Sequence, residues 1–195
     1  MAEIKPRFEF RIWGETLAPY RTKLEKLAQP KETVSKETYL ISALTDECNA
    51  KIRGGLMDIK VLIAVERGLE QWNPILKAGF PLSATAISEQ VFPSLKLVAP
   101  PLKKSEYTME EFFVEVVRAE PKISVVDVTK TRYQFSIGEC AAEYAAVTLN
   151  NVPRDTVAAE STSPDAVLQL VKDLGIDETN VSYIREISRI LAKKA

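Results

Sequence analysis

Charged and apolar residues alternate strictly over residues 7–12. Phe8, Phe10 and Ile12 share one face and Arg7, Glu9 and Arg11 the other, which predicts a half-buried strand. Gly14 ends it, and the spacing of Leu17, Tyr20, Leu24 and Leu27 predicts a helix over 16–27 that Pro30 closes. Residues 38–42 read as a strand. Residues 49–53 and 56–65 read as the two arms of a hairpin, because Gly54-Gly55 supplies the positive φ that a tight turn requires. In the second arm Met57, Ile59, Val61, Ile63 and Val65 share a face, and Asp58 and Lys60 take the other.

Ser83 opens a short helix over 82–91, and residues 93–101 read as a loop that is stiffest at Pro100-Pro101. Thr108 caps a helix over 108–119, with Glu110 and Glu111 in its first turn and Pro121 as its stop. Residues 125–137 form a long strand, with Lys130 and Arg132 on one face and Thr131, Tyr133, Phe135 and Ile137 on the other. Residues 139–149 are its hairpin partner, and 156–161 a further short strand. Ser163-Pro164-Asp165 opens a helix that Gly175 ends. A last helix covers 182–192. Meandering strands with helices between them predict an α+β fold, largely antiparallel, in a single domain over 1–195.

Composition narrows the chemistry. The 195 residues are 46% apolar, enough for a sizeable core, and carry 26 Lys+Arg against 27 Asp+Glu. A net charge of −1 argues against binding nucleic acid over the whole surface. The chain has no His, so it has no Ser-His-Asp or Cys-His relay and no imidazole base. Cys48 and Cys140 are too few for a four-sulfur metal site and read as small buried residues. The first ten residues lack the apolar core of a signal peptide, and no run is long enough to span a membrane. A cytoplasmic protein with reduced thiols is therefore expected.

The strands carry the informative feature on their polar faces. Arg7, Arg11, Lys51, Arg53, Lys60, Lys130 and Arg132 recur at period-two spacing, with Glu9, Asp58, Glu143 and Glu160 among them. Two readings compete. The pattern is the solvated face of an open antiparallel sheet, or it is the inner face of a sheet curled into a barrel with its apolar faces against the helices. In the second case the cations repel one another until an anion neutralises them, and a polyphosphate is the natural guest. The carboxylates would orient the basic side chains or hold a hard divalent cation. Trp72 reads as a core or lid aromatic ahead of a base-stacking one. The pairs Lys103-Lys104 and Lys193-Lys194 read as solvated.

In their order these strands resemble the CYTH superfamily over residues 4–190. The run from Arg7 to Arg11 stands where that family has its N-terminal ExExK strand. Lys51-Ile52-Arg53, Asp58-Ile59-Lys60 and Lys130-Thr131-Arg132-Tyr133 are similar to its later basic strands, and Ala158-Ala159-Glu160 to its late ExE. The resemblance implies an eight-stranded antiparallel tunnel-like barrel with helices packed outside. It implies a polyphosphate or nucleoside triphosphate as ligand, held by Arg11, Lys51, Arg53, Lys60, Lys130 and Arg132. It also implies Mg or Mn held by Glu9, Glu143 and Glu160, and hydrolysis of a triphosphate or cyclisation of ATP. Three positions depart from the pattern: Arg7 and Ala158 stand where the family has carboxylates, and Arg11 where it has Lys, which keeps the charge but not the shape. That departure leaves a second reading open, a tunnel that binds a phosphorylated ligand without turnover. In that reading a cross-strand carboxylate, Glu160 or Glu143, is the better partner for Arg7 than Glu9.

Overall fold

A computed structural model describes residues 5–193; Lys194, half of one pair read as solvated, lies outside them. The elements in chain order are strand β1 (Arg7–Gly14), helix α1 (Ala18–Leu27), β2 (Lys31–Ser42), β3 (Cys48–Arg53), β4 (Leu56–Glu66), β5 (Leu69–Gly79) and β6 (Leu82–Ser83). Helix α2 follows, made of Ala84–Ala86, a π-helical turn Ile87–Val91 and Phe92–Ser94. Then come β7 (Glu106–Tyr107), α3 (Met109–Glu111 continued by a π-helical turn, Phe112–Val117), β8 (Ile123–Ile137), β9 (Cys140–Leu149), β10 (Val152–Ser161), α4 (Pro164–Leu174) and α5 (Tyr183–Ala192). Eight strands close a barrel in the order β1-β10-β9-β8-β2-β3-β4-β5, and β6 and β7 form a separate ribbon. The open-sheet alternative is therefore excluded.

Local chemistry explains the boundaries. Gly54 (φ 57°) and Gly55 (φ 75°) make the β3–β4 turn as the sequence predicts. The β9–β10 turn uses Asn150 and Asn151, also at positive φ, and lengthens the last strand at its start. Side chains of Ser83, Thr108, Ser163 and Ser182 each accept a hydrogen bond from a backbone N–H of the helix they open. The Thr108 cap is a full capping box with Glu111. Gly175 ends α4 in the left-handed conformation. Strand β5 is absent from the sequence reading. Its turn is Arg67-Gly68, with Arg67 at φ 53°, a conformation that sequence rules assign to Asn or Gly.

The chain divides into two compact units. Among the described residues the first comprises 5–36, 62–73 and 128–193, and the second 37–61 and 74–127. In the first, Phe8, Phe10 and Ile12 of β1 meet Phe135, Tyr144, Val157 and Ala159 of β8, β9 and β10 beneath Leu24 of α1 and Val167, Leu170 and Leu174 of α4. In the second, Leu40, Ala50, Ile52, Met57 and Ile59 of β2, β3 and β4 pack under Ile87, Val91 and Phe92 of α2 and Phe112 and Val116 of α3. Each such Leu, Ile or Phe contributes about 1.5–3 kcal/mol when fully buried. In both units the helices cover the apolar strand faces. The polar faces are left as the inner surface of a closed barrel. The apolar row predicted along β4 is covered only at its start: Met57 and Ile59 are buried, whereas Ile63 and Val65 are exposed.

Candidate functional site

Register places the polar side chains of the first unit in rows. Across β5, β1 and β10, Glu70, Glu9 and Glu160 stand directly opposite one another. One row along, Arg11 faces Ala158, which faces Glu143 on β9, which faces Gln134 on β8. Arg132 and Lys130 follow at period two on β8, opposite Ala145 and Val147.

Arginines hold these carboxylates. Arg7 Nη1 donates to Glu160 Oε1 at 2.9 Å, the cross-strand partner expected of Arg7. Arg11 Nε donates to Glu9 Oε1 at 2.9 Å, and its Nη1 donates to Thr156 Oγ1 and lies 3.7 Å from Glu143. Arg132 Nε donates to Glu143 Oε2 at 2.7 Å. Arg154 pairs with Glu186 and Arg185 with Glu70. Burial opposes the Arg11 charge, but Glu9 beside it, with Tyr183 and Glu143, holds its pKa above the ordinary value.

The C-terminal segment completes this cluster. Beyond Glu9, where the register of β1 with β5 ends, Asn180 and Val181 bond the backbone of Arg11. Tyr183, the first residue of α5, meets Trp13 edge to face at 4.7 Å. The Arg11 guanidinium lies 4.4 Å and Lys130 Nζ 3.9 Å from the centre of the Tyr183 ring, both within cation–π range. Arg11 and Lys130 are each only 6% exposed, so these are desolvated charges and not a solvated fringe.

The second unit carries Lys51, Arg53 and Lys60 with Glu37 and Asp58. Arg53 Nη2 donates to Asp58 Oδ2 at 3.2 Å, and its Nη1 lies 3.7 Å from the fully buried Glu37. Lys51 Nζ lies 3.7 Å from the same Asp58 oxygen. Burial pushes the Lys51 pKa down; Asp58 and Glu37 counter it, while Lys60 and Arg53 add to it. Lys60 is partly exposed and makes no ion pair among the described residues.

None of Lys51, Arg53, Lys60, Lys130 and Arg132 is exposed. The sequence reading missed Glu37, Glu70, Arg154, Arg185, Glu186 and Tyr183. Glu70 lies on the unrecognised β5, and Glu37 falls one residue before the strand predicted over 38–42. The residues on α5 read as parts of a helix with an apolar core row. The polar faces are consequently more acidic than the sequence suggests. Trp72 is buried opposite Arg7, as the core reading has it. Lys104, expected to be solvated, bonds Glu111 and Glu115. Cys48 is buried, and burial pushes its thiol up to about 11, which leaves it a weak nucleophile.

The three carboxylates expected to hold Mg or Mn do not fit that role as arranged. Glu9, Glu143 and Glu160 each have an oxygen engaged by a different arginine. Among the described residues, no group of three or more His, Cys, Asp or Glu is placed to hold a metal ion. A hard dication needs carboxylate oxygens that face it and no cation alongside.

No family model matches the chain, and no curated protein matches it by sequence. Solved structures match its fold. The PH1012 protein of Pyrococcus horikoshii is 14% identical, with a TM-score of 0.52 over 92% of this chain and 94% of that one. HpAC1 of Hippeastrum, a candidate adenylyl cyclase with a dominant triphosphatase activity, is 11% identical, with a TM-score of 0.51 over 97% of both chains. A candidate adenylate cyclase of Bacillus halodurans is 12% identical, with a TM-score of 0.50 over 96% of this chain and 97% of that one. The chain shares the fold of these structures. At these identities the likeness reaches the fold and stops there. Among the described residues no helix is long and apolar enough to cross a membrane.

Proposed function

We propose that the inner polar face of the barrel binds a triphosphate-containing anion, either an inorganic polyphosphate or a nucleoside triphosphate. The observation that carries this reading is the burial of Arg11, Lys51 and Lys130 on faces where cations outnumber carboxylates. In the first unit Arg7, Arg11, Lys130, Arg132, Arg154 and Arg185 stand against Glu9, Glu70, Glu143, Glu160 and Glu186. In the second, three cations stand against Glu37 and Asp58. Cations gathered on one face repel one another, and an anion on that face relieves the repulsion.

The residues proposed to grip phosphate are Arg11, Arg132 and Lys130 in the first unit and Lys51, Arg53 and Lys60 in the second. Arginine suits this role because a guanidinium bonded to one carboxylate oxygen still has N–H donors for a phosphate. Lys60 supplies a compact charge that makes no ion pair among the described residues. Binding without turnover fits these residues best, because Glu9, Glu143 and Glu160 each already have an oxygen engaged by an arginine. Hydrolysis is the second reading, favoured by the triphosphatase activity of HpAC1, which shares the fold. Calorimetry with tripolyphosphate and ATP tests binding, and phosphate release with and without manganese tests turnover. Heat of binding without phosphate release is the expected result. The absence of both heat and a thermal shift at millimolar ligand would remove the proposal.

A further inference from the structure

The row Glu70, Glu9 and Glu160 spans three neighbouring strands at directly opposed positions. Like charges in such positions repel. The repulsion in such a row is relieved by a shared proton, by a bound cation, or by a cationic side chain for each carboxylate. This chain takes the last course, and with one residue type. Glu160 has Arg7, Glu9 has Arg11 and Glu70 has Arg185, while the adjacent Glu143 has Arg132 with Arg11 close by. The arginines come from β1, β8 and α5, so the arrangement is spread over the unit and is not an accident of one strand.

The two halves of each pair are not equivalent toward a third group. A guanidinium has five N–H donors, and one carboxylate uses at most two, so a paired arginine still offers donors to a phosphate. A carboxylate beside a guanidinium is already neutralised, and a divalent ion approaching it meets the arginine's charge as well. The pairs therefore favour an added anion and disfavour an added dication. Lys130, held at the face of Tyr183, adds a further positive charge to the same unit.

We propose that this chain takes its polyphosphate as the metal-free anion, with arginines supplying the charge that a divalent ion would otherwise bring. Magnesium or manganese then competes with the protein for the ligand and does not bridge the two. This inference rests on the triphosphate reading above and fixes the form in which the ligand is taken.

Calorimetry of the full chain with tripolyphosphate, first in EDTA and then at rising MgCl2, separates the two claims. The expected result is tightest binding in EDTA and an apparent affinity that falls at least about threefold once magnesium exceeds ligand, as free anion is withdrawn by mass action. Binding that strengthens with magnesium or requires it would overturn the inference and leave the triphosphate reading standing. Absence of binding in both conditions would overturn both. A titration with MnCl2 alone, followed by the electron paramagnetic signal of the ion, is expected to show no retained manganese, and retention would contradict the inference. Arg132→Gln, at a part-exposed position, leaves Glu143 with Arg11 close by and should weaken metal-free binding about tenfold, the value of one charge-assisted contact. Unchanged affinity in a folded Arg132→Gln would overturn the claim that arginines supply the charge.

Discussion

In the first unit Glu9, Glu70, Glu143, Glu160 and Glu186 each meet an arginine, whereas in the second Lys51 and Arg53 share Asp58 and Lys60 makes no ion pair among the described residues. Each unit sets the cations of its polar strand face among acids, yet the two treat them differently. The first fixes its arginines through cross-strand and helix contacts, with Arg11 held at once by Glu9, Thr156 and the Tyr183 ring. The second buries a lysine whose charge its surroundings oppose. A held guanidinium provides geometry, and a buried ammonium with too little compensation provides attraction for an anion. The difference teaches that a count of basic residues on a sheet face does not say which are structural partners and which are in want of a ligand.

The contrast can be broken most sharply by removing one buried cation from each unit. Arg11→Met removes the guanidinium bonded to Glu9 and leaves Glu143 to Arg132, and should destabilise the protein by about 3–5 kcal/mol. At about 2–4 °C per kcal/mol for a chain of this size, the thermal midpoint falls by about 10 °C. Lys51→Met leaves Asp58 with Arg53 and removes a charge that burial disfavours, so its cost should stay below about 1 kcal/mol. Thermal melts compare the two, and equal losses would erase the distinction.

A gain of metal binding sharpens the account of the first unit. Ala158 faces both Arg11 and Glu143 across the ladder. Arg7→Glu with Ala158→Glu frees Glu160 and adds two carboxylates to these rows. The double variant should retain manganese where the parent does not, and its manganese-dependent phosphate release should exceed the parent's. If the parent hydrolyses triphosphate briskly with metal and the double variant does not, the reading of these two positions is wrong.

Smaller effects test the environment of single groups. Because the folded pKa of Lys51 lies below its ordinary 10.5, the unfolded chain binds more protons between those two values. Stability should therefore rise as pH climbs from the folded value towards 10.5, with the full penalty present below both. Lys51→Met should abolish that rise in pH-dependent melts. Anion affinity should fall over the same window as the ammonium is lost. Tyr183→Leu keeps an apolar neighbour for Trp13 but removes the ring face from Arg11 and Lys130. Anion affinity should then rise by at least about tenfold, in keeping with a desolvated cation–π contact of about 2 kcal/mol. Calorimetry that finds weaker binding would make the ring part of the ligand site.

Much of the fold was legible because alternation and turn chemistry agreed. Phe8, Phe10 and Ile12 against Glu9 and Arg11 marked β1, and Gly54-Gly55 marked the β3–β4 hairpin. Strand β5 was hidden by an arginine at positive φ and by Pro74, a residue that argues against a strand. Pro74 is tolerated because it lies past Trp72, the last residue of β5 in register with β1. With β5 went Glu70, and with it the three-glutamate row. The candidate cations were legible as a period-two pattern, but their partners were not, since pairing depends on register and on which residues α5 brings to the strands. The cation–π placement of Tyr183 left no trace in the sequence beyond one aromatic at a helix start. Ile63 and Val65 share the alternation of Met57 and Ile59 yet stay exposed, because pattern reports a face and not whether anything covers it.

The central claim is that these inner-face cations exist to hold a polyphosphate. Calorimetric titration of tripolyphosphate into the parent, Lys60→Ala and Arg132→Ala, each shown by its melt to be folded, tests it most directly. Each substitution should weaken binding about tenfold, one charge-assisted contact apiece, with the loss shrinking as salt is raised. A parent that gives no heat at millimolar ligand, or variants that bind as the parent does, would contradict it.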